Sequence, residues 1–288
     1  MKKKSFIGFV PHRHRKIKKL GETPLDELTV IDERSRPKGT INDLEADDHV
    51  LICPSSRIWL LNTSKLTCKV SLIIAEPKVI HGHYFKLLWL FREKFFRIFV
   101  RDQEFSDKYD NVESLPLGDA WVDKSIEFNT TGKNLFASII ASDKNKYAGH
   151  KLRHNAIKHL NIIKHIDLRV LGRGYAPFEN KEDGLLPFMF SIIIENVQEK
   201  CYFTEKLIDC LLCSTVPIYW GAPNISDYFD TRGFITFNNE HDLVTIMSNL
   251  TEEDYSNRVR FIKSNYETAK KLCDSHTEIT SVLTQAIK

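Results

Sequence analysis

The stretch Phe190–Gly221, FSIIIENVQEKCYFTEKLIDCLLCSTVPIYWG, decides how this chain folds. Met189 to Glu195 opens it as a nearly unbroken apolar run, the pattern of a strand buried on both faces. A polar loop follows, then a helical pattern over Thr204–Cys213, and Val216–Trp220 returns as a second apolar strand. Strand, loop, helix and strand in this order predict a parallel βαβ unit, because parallel neighbours need a crossover connection. Thr204 is placed to cap the helix, which predicts free backbone N–H groups pointing back into the loop, where they and the helix dipole attract phosphate. Glu205 and Lys206 fall in the first turn, one suited to sugar hydroxyls and the other to a pyrophosphate. Cys210 and Cys213 form a CxxC inside the apolar helical pattern, where they read as small core residues.

The same rhythm extends in both directions. Upstream lie an apolar run at Leu135–Ala141, a helical pattern near His150–Ile162 and a strand at Leu168–Gly172. The first half of the chain repeats it with Ser5–Val10, His49–Cys53, Val70–Ala75 and Arg97–Val100 as strands and Tyr84–Phe96 as an amphipathic helix. Polar, turn-like sequence around Asp119–Lys133 separates the two series. The reading is α/β, with two Rossmann-like domains, residues 1–130 and 131–288, facing a cleft and holding ligands at the carboxyl ends of their strands.

Composition narrows the function classes. The 288 residues suffice for two cores, and 41 basic against 38 acidic residues give +3, too balanced for a nucleic-acid binder. A basic cluster surrounds the apolar run Phe6–Val10, with Lys2, Lys3, Lys4, Arg13, Arg15, Lys16, Lys18 and Lys19; it reads as a solvated terminus and leaves contact with a membrane surface open. Tyr84–Phe96 carries Lys86, Arg92 and Lys94 among its aromatics, and reads first as a helix covering a sheet, second as one lying on a membrane. Phe6–Val10 is too short for a signal-peptide core, and no run approaches the ~18 apolar residues of a membrane span. Six irregularly spaced cysteines without paired knuckles argue against structural zinc and suit a reducing compartment. The expected location is cytoplasmic, with peripheral contact at the inner membrane face as an option.

The residues of the opening stretch resemble the nucleotide-binding motif of the α-1,3/4-fucosyltransferase family. That pattern is F-S-x-x-x-E-N, a short loop, Y-x-T-E-K and V/I-P-I-Y-x-G. Phe190, Ser191, Glu195, Asn196, Tyr202, Thr204, Glu205, Lys206, Val216, Pro217, Ile218, Tyr219 and Gly221 match it in order. Phe136–Ser142 followed by Arg153 is similar to the family's first donor-domain strand and its phosphate-binding arginine, with Ser142-Asp143 departing from the family's S-N. Ile74-Ala75-Glu76-Pro77 and Phe99–Phe105 resemble its amino-terminal domain more weakly.

The resemblance implies a GT-B-type glycosyltransferase whose first domain binds a glycan acceptor and whose second binds a GDP-sugar. It implies inverting transfer of L-fucose from GDP-fucose, in α-1,3 linkage, to an oligosaccharide or glycoconjugate acceptor. By the same resemblance Glu205 meets the ribose, Arg153 and Lys206 the diphosphate, and Asn196, Tyr202 and Thr204 complete the cradle. Glu76 is implied as the general base; its position just after a buried strand, at the rim of a cleft, suits a carboxylate of raised proton affinity. Glu195 is expected to shape the loop and Trp220 to end a core strand. No metal or other cofactor is expected, since cationic side chains carry the leaving-group charge. Asp47-Asp48 precede a strand instead of following one, and His81 and His83 read as solvent-facing or acceptor-contacting. The alternatives are a transferase for another nucleotide sugar and an inactive glycan-binding or scaffold protein of the same fold. The sequence leaves the oligomeric state open.

Overall fold

The computed structural model describes residues 5–10, 17–31, 37–55, 58–115, 118–163, 167–273 and 275–285. The chain divides into two compact units, Met1–Leu115 with Ser275–Lys288, and Pro116–Asp274.

The first unit is built on one sheet of β1 (Ile7–Phe9), β2 (Thr29–Val30), β3 (His49–Ile52), β4 (Lys69–Ile74), β5 (Ile98–Val100) and β6 (Val112–Ser114), in the order β2-β1-β3-β4-β5-β6. All neighbours are parallel except the edge strand β2, which pairs antiparallel with β1. Val50, Val70, Leu72 and Ile98 share one core with Tyr84, Phe85, Leu88 and Phe91 of α1 (Lys78–Phe91). This helix starts earlier than the expected Tyr84, because Pro77 holds the extended backbone of an N-cap (φ −70°), and it gives way after Phe91 to a tighter turn over Arg92–Lys94. It is also broken internally at His81 (φ −111°, ψ 23°). The short α2 (Gln103–Lys108) is capped by the Asp102 carboxylate.

The second unit contains β7 (Leu135–Ile140), α3 (Ala148–Leu160), β8 (Leu168–Leu171), β9 (Phe188–Ile194), α4 (Glu205–Leu212), β10 (Val216–Trp220), β11 (Ile235–Thr236), α5 (Glu240–Asn249) and α6 (Glu252–Leu272). Its sheet, β11-β10-β9-β7-β8, is wholly parallel. A parallel sheet must be covered on both faces. On one face Ile139, Ile192 and Ile218 pack with Ile157 and Leu160 of α3 and Leu243 of α5. On the other, Ile193 and Tyr219 pack with Leu207, Ile208 and Leu211 of α4 and Tyr266 of α6. Cys210 and Cys213 are buried thiols, and burial pushes both up, Cys213 to about 12. Trp220 ends β10 as a buried residue, its indole N–H donating to the Asn238 carbonyl.

Two features correct the expected division at residue 130. The units part between Leu115 and Pro116, since the segment after it is tied to the second unit: the Trp121 and Val122 N–H groups donate to Asp209 at 2.9 and 3.3 Å, and the Asn129 N–H to the Ser214 hydroxyl at 3.1 Å. The final helix, α7 (Ser275–Gln285), belongs with the first unit, where the Thr280 hydroxyl donates to the Ile31 carbonyl; the second unit therefore ends at Asp274 and not at 288. An amphipathic helix carries no mark of which sheet it covers.

Candidate functional site

In the second sheet the chain leaves β7 toward β8 on one side and returns as β9 on the other, so β7 and β9 bound a topological switch point. Ligands of open α/β sheets bind outside the carboxyl ends of strands at such a point. The residues that end there are Ala141–Ser142 after β7 and Glu195–Asn196 after β9, with the amino ends of α3 and α4 directly behind them.

Glu195 is the centre of the arrangement. Its side chain is fully buried, one carboxylate oxygen accepting the Thr204 N–H at 2.8 Å and the other the Thr204 hydroxyl at 2.7 Å. The second oxygen also lies 3.4 Å from Lys206 Nζ, which in turn donates to Thr204 Oγ1 at 2.9 Å and to Glu205 Oε1 at 3.3 Å. Gly221 makes room for the Glu195 stem; a Cβ there would collide with the Tyr219 hydroxyl and crowd Glu195 Cγ.

This network changes the expected reading of the α4 amino end. Thr204 caps the helix, accepting from the Lys206 N–H. Yet its own N–H and hydroxyl go to Glu195, and the Glu205 N–H meets the Glu205 carboxylate. The first donors of the helix are therefore engaged within the protein, and Thr204 serves as the clasp of the loop. The charge offered to an anion at this edge comes from side chains.

Those side chains are Lys206 and Arg153. Arg153 projects from α3, buried, and its guanidinium donates to the Ile194 carbonyl at 2.5 Å. Burial lowers its proton affinity, against the pull of Glu195, Glu205 and Tyr202. Burial raises that of Glu205, but Lys206, Lys181 and hydrogen bonds from Lys206 and the backbone overcome it and hold the carboxyl below its ordinary value of 4.5. Glu205 is thus an anion that accepts hydrogen bonds. Asn196 is half-buried, its carbonyl accepting the Gly149 N–H at 2.9 Å. That contact requires glycine, because a Cβ at residue 149 would collide with the Glu195 carbonyl. Tyr202 is buried beside Cys201, whose left-handed backbone (φ 62°) is held by an N–H bond to Asn224.

Sequence reasoning missed His150. Its Nδ1 accepts the Lys146 and Tyr147 N–H groups at 3.2 and 3.3 Å, while its ring also bonds the Asn196 side chain. Burial, then the charges of Arg153, Lys144 and Lys206, lower its proton affinity, so it ties α3 to the β9 loop as a neutral ring inside a cationic cluster. Its place in the first turn of the helix after β7 was the available signal. Lys181 was missed as well; it pairs with the buried Asp209 at 2.5 Å and lies 4.8 Å over the Trp121 ring.

Glu76 stands in the first unit, half-buried, two residues past the carboxyl end of β4 and just before α1. His81 forms the break in that helix and His83 follows it, packed edge-on and tilted against Tyr84 with ring centroids 5.1 and 3.8 Å away. Among the described residues no group of three His, Cys, Asp or Glu side chains could hold a metal ion.

Two parallel-sheet α/β units, the second with paired cations at its switch point, define a GT-B-type fold. The profile of glycosyltransferase family 10 (fucosyltransferase), C-terminal region, matches residues 131–283, more than half of the sequence, and the chain belongs to this family. It is similar to the α-(1,3)-fucosyltransferase FucT of Helicobacter pylori, 33% identical over 112 residues that cover 38% of this chain and 22% of that protein. A putative fucosyltransferase, R654, of Acanthamoeba polyphaga mimivirus is 33% identical over 70 residues, 23% of this chain and 12% of its own length. The matched part thus spans under a quarter of either relative. A crystal structure of an α1,3-fucosyltransferase superposes with a TM-score of 0.51 at 17% identity, over 77% of this chain and 78% of that one, a likeness of fold. No helix among the described residues is long and apolar enough to cross a membrane.

Proposed function

We propose that this protein transfers L-fucose from GDP-fucose to a hydroxyl of a glycan acceptor, with inversion and in α-1,3 linkage. The observation that carries the reading is the pairing of Arg153 and Lys206 around the buried Glu195 at the switch point of a family 10 donor unit. The guanidinium fork and the ammonium receive the charge that grows on the departing diphosphate, and the ionised Glu205 accepts hydrogen bonds from ribose hydroxyls. Asn196, Tyr202 and His150 keep the loop and α3 in place around them. Glu76 takes the proton of the acceptor hydroxyl as it attacks the anomeric carbon, in a single displacement through an oxocarbenium-like transition state. The scheme routes no step through a metal.

Calorimetric titration with GDP-fucose, GDP-mannose and UDP-galactose, with chelator present, tests the reading. Saturable binding of the guanine donors, with fucose transferred or released, is the expected result. Preference for another nucleotide sugar would move the protein to a different donor, and failure to bind any GDP compound would overturn the reading.

A further inference from the structure

Helix α1 covers the first sheet with one face and turns an unusual face to solvent. Tyr84, Phe85, Leu88 and Phe91 lie in the core, whereas Trp89 (62%) and Leu90 (56%) are exposed on the other side with His83 and Lys86, and Val79 (62%) is exposed ahead of the break at His81. Leu60, 64% exposed, ends the short turn Ile58–Leu60 that packs beside α1. Helix faces that meet only water carry charged residues of both signs. The 14 residues of α1 include no Asp or Glu; of its two lysines, Lys78 is paired with Asp102 and Glu104, and Lys86 is exposed. Lys94 follows in the next turn, and the segment holding exposed Lys65 is tied to it by the Thr63 hydroxyl, which donates to the Lys94 carbonyl at 2.6 Å. The carboxylate in this turn, Glu93, is paired with Arg92.

We propose that this face of α1, with Leu60 beside it, docks on a bilayer surface rich in anionic lipid. An exposed indole suits the headgroup region, where Trp is enriched, and the neighbouring Leu90 reaches the acyl boundary. The exposed Lys86 and Lys65 supply the attraction to lipid phosphates, and their stems cover apolar surface while the amines stay hydrated. The apolar side chains are strung between basic residues along one helix. A protein partner would instead meet a central apolar patch from which lysine is depleted.

Co-sedimentation of the full chain with vesicles tests this. Binding to phosphatidylcholine vesicles containing phosphatidylglycerol is expected, at least tenfold weaker to phosphatidylcholine alone and reduced by 0.5 M salt. The double substitution Trp89→Ser with Leu90→Ser, both on the solvent face, is expected to weaken binding at least tenfold, and Lys86→Glu to remove much of its salt sensitivity. Trp121→Ser, another exposed indole but in the second unit, should bind as wild type. All variants keep the basic residues near the amino terminus, so equal binding by wild type and the double variant would overturn the proposal and assign the attraction to them. Absence of vesicle binding would overturn it too, as would a concentration-dependent dimer in solution that the double variant abolishes, since the face would then belong to a second copy.

Discussion

At the carboxyl edge of the second sheet, every ionisable group of the site has a named partner. Glu195 holds Thr204 and Lys206, Lys206 holds Glu205, and Arg153 is fixed to the Ile194 carbonyl. At the same edge of the first sheet the half-buried Glu76 precedes a helix that is broken at His81, and Gly82 beyond the break has open space where a side chain would stand. A diphosphate has one shape and one charge pattern, and a closed network of buried polar groups is the way to pre-organise for it. The first edge differs in its backbone: the carboxylate there stands ahead of a helix with an internal break and an open glycine, where the second edge has a continuous helix clasped by Thr204.

The contrast is broken most severely at Glu76. Glu76→Gln is expected to lower kcat by about 10²–10⁴-fold, the range of a lost general base, while leaving GDP affinity within about twofold; single-turnover assays with calorimetry would show both. Turnover that survives the change would place the base elsewhere. Glu195→Ala should act on stability instead, costing about 3–5 kcal/mol in urea unfolding, because Thr204 and Lys206 lose a buried partner. Lys206→Met sharpens the comparison further. Its amine is partly exposed and Glu195 keeps both bonds to Thr204, so the unfolding midpoint should fall less than for Glu195→Ala, while GDP affinity falls about 10–100-fold through loss of charge-assisted contacts.

Much of the second edge was legible because its chemistry is local. Strands buried on both faces read as the apolar runs of β9 and β10, and Thr204, Glu205 and Lys206 follow at fixed offsets. What stayed hidden is non-local. That Glu195 would take up the donors at the start of α4 depends on how deeply the β9 loop turns back, and the bond of His150 to Asn196 joins residues 46 positions apart. The two-residue β2 is too short to show a period, and the return of α7 to the first unit follows from packing alone. Glu76 is marked in the sequence by its place after an apolar strand and before Pro77, and the Glu76→Gln assay is what tests the role proposed for it.

The last expected effect is a pH dependence centred on the first unit. His49 in β3 is fully buried, edge-on to Phe96 with ring centroids 5.2 Å apart, and among the described residues neither ring nitrogen has a hydrogen-bond partner. Burial, then the charge of Lys69, push it down to about 4, against Asp48 and Asp47. Between that value and the ordinary 6.5 the unfolded chain binds the proton and the folded one does not. The stability involved is present in full above pH 6.5 and is lost as pH falls toward 4, by at most about 3 kcal/mol. In the second unit His150 is lowered in the same direction and contributes in acid as well, whereas Lys133, buried and donating to the Cys213 carbonyl and Thr215 hydroxyl, is brought by burial from 10.5 to about 8. Its window lies between those values, where stability rises with pH, so it contributes no slope in acid. Hydrogen exchange at pH 7 and 4.5 should therefore show β3 and β4 losing protection in acid, and His49→Leu should restore it and flatten the acid limb of urea unfolding. An acid limb unchanged by that substitution would assign the loss to groups other than this ring.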